Sequence, residues 1–182
     1  MFDRNFLPEF KRATEERWAE RPIDPSVYGF QFQPGTRWNI GLSREEIVEY
    51  EAVLAVSFPH DFRDFLGAMN GTDLPTLNVY GSSGEPPRTS TGVYSYPRDV
   101  KLVKQRIEDV RDSRSAIAAD LWEQGFDLPA EAQLVPIYFH RYVVCTPDLN
   151  RSPVLSIADH STDAIVYASS LREYLEREFL ND

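Results

Sequence analysis

The sequence predicts a single α+β domain in which a mostly antiparallel central sheet is flanked by helices. Three observations predict it. At 182 residues the chain is about the size that buries one core. Apolar stripes at helical spacing, two of them opened by capping signals, occupy both ends and the second quarter. Short β-rich runs separated by Pro, Asp, Asn or Ser fill residues 134–167. Apolar residues at 42% and aromatics at 13% are too abundant for a chain that stays disordered.

From residue 4 to about 20, Phe6, Phe10, Ala13 and Trp18 fall close to a helical period, and five acids and five bases between Asp3 and Arg21 take the other positions. This is an amphipathic helix. Pro22, Pro25 and Pro34, with Gly29 and Gly35, then interrupt regular structure. The aromatics Tyr28, Phe30, Phe32 and Trp38 make this segment a linker pinned onto the body, so that residues 1–35 are an N-terminal helix and Pro-rich arm. Ser43 and Glu46 form a capping box, in which hydroxyl and carboxylate satisfy each other's orphan backbone donors, and the helix runs to about Val56. Its inner stripe is Ile47, Tyr50 and Leu54. Pro59 opens a short helix with Phe62, Phe65, Leu66 and Met69 at i, i+3, i+4 and i+7, which Asn70-Gly71 ends.

Thr76 to Tyr80 reads as a strand, and Gly81 to Gly92 as a flexible loop of the kind that carries function. In residues 99–124 Val100, Val103, Ile107, Val110, Ile117 and Leu121 alternate by three and four, with Arg114 interrupting the stripe. The pattern fits an inserted surface helix or helix pair, or a short dimer coil. Leu134–Phe139, Tyr142–Cys145, Val154–Ala158 and Ala164–Tyr167 fit an antiparallel meander. A second capping box, Ser170 to Glu173, opens a last helix whose Leu171, Tyr174, Leu175 and Phe179 cover one sheet face.

Charge narrows the function. The chain carries 19 Lys and Arg against 29 Asp and Glu, a net of −10, which disfavours nucleic acid and anionic membrane as partners and favours a basic or neutral protein. Residues 43–66 hold six acids and two arginines. Glu45, Glu49, Asp61 and Asp64 occupy outward positions there and form a candidate partner-binding face, or a solvated one. Residues 147–182 are the second acidic stretch, with seven acids and three arginines. One cysteine, no signal-peptide pattern and no apolar run of membrane length point to a cytoplasmic chain, as a monomer or a homodimer.

No motif carries chemistry. Three histidines and one cysteine offer no zinc-ligand spacing, so no metal site is expected. Asp159-His160-Ser161 has the residue types of a nucleophilic triad, but adjacent side chains in a turn point apart. Cys145 has the features of a buried structural thiol, and Gly81-Ser82-Ser83-Gly84 lacks the Lys of a phosphate loop. Arg141 and His140 anchor a sheet edge to a carboxylate such as Asp163, or contact a ligand. Glu51 lies on an inner stripe, where an unpaired carboxylate is costly; its partner is the Trp38 indole, a backbone amide or an arginine.

The ordered set Trp38, Gly41-Leu42-Ser43, Ile47, Glu51, Leu54, Phe58-Pro59, Phe62, Phe65-Leu66 and Asn70-Gly71 resembles the SUKH superfamily of Smi/Knr-type proteins. So does the set Leu134 to Ile137, His140-Arg141-Tyr142, Pro153 to Ser156, Thr162-Asp163, Tyr167 and Leu171 to Phe179. The resemblance covers residues 38–71 and 134–180. It implies an α+β fold, no cofactor and no catalytic residues. Bacterial members frequently act as immunity proteins that neutralise toxins, many of them nucleases, and fungal relatives are regulatory hubs. Immunity protein is therefore the leading expectation. A regulatory scaffold with a peptide or small-ligand groove near Trp38, Glu51, His140, Arg141 and Asp163 is the alternative, and a hydrolase is the third reading.

Overall fold

The computed structural model describes residues 2–146, 152–158 and 163–181. The Asp159-His160-Ser161 sequence lies outside them. At the centre is a four-stranded antiparallel meander: β6 (Gln133–Tyr138), β7 (Arg141–Cys145), β8 (Val154–Ile157) and β9 (Ala164–Ala168), paired in chain order. This is the expected meander. Its strands read as continuous apolar runs because both faces are covered. Val135, Ile137, Val143, Cys145, Val154 and Ala168 belong to one core, and Leu134, Tyr142, Val144, Leu155, Ile157 and Ala164 to the other.

The larger core is closed by five helices: α1 (Phe6–Glu20), α2 (Arg44–Leu54), α3 (His60–Ala68), α6 (Leu171–Phe179) and, through Val103 and Ile107, the first part of α4 (Val100–Asp112). The smaller is closed by α5 (Arg114–Glu123) and the end of α4. The interrupted stripe is thus a helix pair. Arg114 starts the second helix, where its guanidinium donates to the carbonyls of Pro129, Ala130 and Ala132 at 2.6–3.2 Å. On α1 the buried stripe is Phe6, Leu7, Phe10, Thr14 and Trp18, with Ala13 half-buried beside it.

Two stretches expected to be irregular contain strands. The Pro-rich arm carries β1 (Gly29–Gln31) and ends in β2 (Trp38–Ile40). After α3 the chain enters β3 (Met69–Thr72), which pairs with β2, so the helix ends earlier than expected: Met69 is already extended and Asn70-Gly71 lie within the strand. β1 pairs with β4 (Thr76–Val79), and β4 with β5 (Arg88–Ser90), inside the stretch read as a loop. Partners far along the chain supply these hydrogen bonds, and local composition does not encode them.

The first capping box forms as expected: the Ser43 N–H donates to the Glu46 carboxylate at 2.7 Å and the Glu46 N–H to the Ser43 hydroxyl at 3.2 Å. The second is altered. Ser170 accepts from the Glu173 N–H, but the Glu173 carboxylate accepts from the amide and hydroxyl of Ser169, one residue earlier. Those bonds hold the Glu173 carboxyl below its ordinary pKa.

Candidate functional site

The acidic stretch is organised around Glu51, 9% exposed on the inner side of α2. Arg63 of α3 grips it through Nε at 3.0 Å and Nη2 at 2.7 and 2.9 Å. The Phe58 N–H donates to the same carboxylate at 2.6 Å, which ties down the connection between the helices. A charged acceptor shared by a guanidinium fork and a backbone amide is among the stronger side-chain arrangements. Glu51 therefore has two of its three expected partner types. The Trp38 indole is elsewhere: it donates to the Thr14 hydroxyl at 2.8 Å, and that hydroxyl donates back to the Phe10 carbonyl.

The four carboxylates of the expected partner face do not stay together. Asp61 is a correction: it is 6% exposed, not outward. Its carboxylate accepts from the Phe62 N–H at 2.9 Å, from the Ser152 N–H at 3.3 Å and from the Ser152 hydroxyl. Asp61 lies in the first turn of α3, four residues before the buried Phe65, so it shares the inner face and folds back on the Phe62 amide at its own helix end. Glu45 and Glu49 are exposed, four residues apart on α2. Glu49 accepts from the Tyr96 hydroxyl; burial together with the Glu49 and Glu46 charges raises that phenol's pKa. Asp64 is exposed on α3, on the rim of a groove of about 850 Å³ between α2, α3 and the start of α1.

Of the residues of the alternative groove, Trp38, Glu51 and Arg141 are engaged within the fold. Trp38 is 4% exposed and packs on Phe10, Trp18, Phe65 and Phe179, so it lines no open groove. Arg141 reaches Glu178 of α6 at 3.0 Å and the Ser156 hydroxyl at 2.7 Å, with its guanidinium 3.8 Å over the Tyr167 ring. Arg177 covers the same ring at 4.4 Å. Desolvation pulls the Arg141 pKa down, but the Glu178 charge and hydrogen bond outweigh it and raise it. The anchoring carboxylate thus comes from α6. His140 sits half-buried in the β6–β7 turn, and Asp163 is exposed just before β9.

Cys145 is buried on the central sheet, and desolvation with the nearby Asp61 and Glu51 charges pushes its thiol pKa well up, the opposite of an activated nucleophile. Among the described residues no group of three or more His, Cys, Asp or Glu side chains is placed to hold a metal ion. No helix among them is long and apolar enough to cross a membrane.

An α+β domain of this kind commits its interior charges to backbone amides and to one another and leaves the rest as surface. The chain belongs to the SMI1 / KNR4 family (SUKH-1), which it matches over residues 41–177. That span includes α2, α3 and the whole meander, and also the α4–α5 pair. No curated protein matches the chain.

Proposed function

We propose that this chain is a non-enzymatic immunity protein that binds and occludes a toxin domain, with the outer surface of α2 as part of the docking face. The family match carries the reading, because bacterial proteins of this type frequently neutralise toxins. Three physical features support it. Glu45, Glu46 and Glu49 are exposed on a helix held rigid by its capping box and the Glu51–Arg63 clamp. The net charge of −10 favours encounter with a basic partner such as a nuclease domain. The buried carboxylates of Glu51 and Asp61 hold backbone amides and an arginine, which supports a structural role for them.

The experiment takes a basic toxin domain sought among the genes adjoining this one and measures association by stopped flow. A complex should form, with association slowing as salt rises through the range where the Debye length falls to about 10 Å and below. Glu45→Gln with Glu49→Gln, which keeps an acceptor for the Tyr96 hydroxyl, should slow it by a few-fold at low salt and leave the fold intact. Salt-independent association defeats the electrostatic part, and the absence of any complex defeats the immunity reading.

A further inference from the structure

The groove between α2, α3 and the start of α1 has a character opposite to that of the chain. Its floor is apolar: Leu7, Leu42 and Ile47, with Val48 rising 60% exposed on its edge. Three cations line it, Arg4, Arg44 and Arg63, with His60 beside them. Arg63 is engaged by Glu51, yet its side chain remains 42% exposed. Arg4 and Arg44 are exposed and meet no carboxylate within ion-pair distance among the described residues. The opposing charge is slight, since Asp3 is taken by Arg172 at 2.9 Å, which leaves Asp64. In a chain of net charge −10, two unpaired arginines at the mouth of an apolar groove are a local inversion of sign.

We propose that this groove receives an amphipathic, acidic segment of a partner protein, whose apolar side chains seat on Leu42, Ile47 and Val48 and whose carboxylates meet Arg4 and Arg44. The groove's volume of about 850 Å³ matches about two turns of a helix some 10 Å across. A helix laid in a groove presents anchors at i, i+3 or i+4, and i+7, and apolar burial supplies affinity while the arginines select sign and register. α2 thus has two flanks of different charge: Glu46 and Glu49 toward Tyr96, Arg44 and Val48 toward the groove. This inference is independent of the toxin reading, since it concerns the other flank and the opposite charge, and either can fail alone.

The test is a random 12-residue peptide display selection on the full chain, counter-selected on Val48→Asp and on Arg4→Glu with Arg44→Glu. These positions are exposed, and Glu at the first position of α2 suits the helix dipole, so the variants keep the fold; circular dichroism checks this. Groove-dependent peptides should carry two or more carboxylates among apolar residues. A synthetic winner should lose about tenfold in affinity on the double-arginine variant. Winners that are basic overturn the charge assignment. A selection with no winner sensitive to Val48→Asp overturns the docking site. A chain that sediments as a dimer and is dissociated by Val48→Asp assigns the groove to a second copy and also overturns the proposal.

Discussion

Gly41 and Gly67 meet where the strand β2 passes the end of α3, and they should respond to alanine in opposite ways. A Cβ built on Gly41 would stand 2.0 Å from the Gly67 carbonyl oxygen, 2.3 Å from its carbon and 2.8 Å from the Ala68 carbonyl carbon. All three are backbone atoms, so no rotamer change relieves the clash. The next residue is tethered too, since the Leu42 N–H donates to the Leu66 carbonyl at 2.8 Å. Ordinary contact begins near 3.4 Å, so α3 or β2 must move by more than 1 Å, against a core that contains Phe62, Phe65 and Trp38. Overpacking against side chains costs about 1–3 kcal/mol, and rigid backbone puts this site at or above the top of that range. A Cβ on Gly67 meets nothing nearer than the Leu42 oxygen at 3.8 Å. Gly67 is the penultimate residue of α3, so replacing it should add stability up to, at most, the helix-interior gain of about 0.5–1 kcal/mol. For a chain of 182 residues, about 3 kcal/mol corresponds to a Tm lower by roughly 8 °C. Urea and thermal unfolding of the two variants measure both signs. A Gly41→Ala protein within about 1 kcal/mol of the parent would refute the close-approach argument.

Glu51→Ala should cost about 1–3 kcal/mol, mainly through the orphaned Phe58 amide, because the half-exposed Arg63 regains water; urea unfolding reads the change. Asp61→Ala strands three donors and should cost about 3 kcal/mol, and a double-mutant cycle with Ser152→Ala should be strongly non-additive. Tyr50, Tyr138 and Tyr174 have phenol pKa values raised by burial. A raised folded value means their contribution is intact below pH 10 and is lost as pH rises toward the folded values. Absorbance at alkaline pH should therefore show these three of the nine tyrosines ionising only with unfolding, and early, non-cooperative titration of all nine would contradict it. Cys145, buried with a raised thiol pKa, should react with a thiol reagent at the rate of unfolding, and rapid labelling of the native protein would place it at the surface.

Family, fold class and the major elements were legible from local signals. The capping box at Ser43, the stripe Phe62–Phe65–Leu66 and the meander strands all formed where periodicity and turn residues placed them. These signals arise within a few residues of one another. What was missed depends on distant partners. Nothing within Gly29–Gln31 marks it as a strand until β4 pairs with it, and Arg88–Ser90 joins the same sheet for the same reason.

For the candidate site the division is sharper. Sequence alone determined that residues 43–66 are acidic, that Glu51 needs a partner and that no metal-ligand spacing is present, because composition and burial cost follow from residue types. Tertiary structure decided which charges are free. It turned Asp61 inward onto Ser152, ninety-one positions away, and gave Arg141 to Glu178. It also brought Arg4 beside Arg44 across an apolar groove. A charge's neighbours are set by how helices pack, and a count along the chain cannot see across that packing.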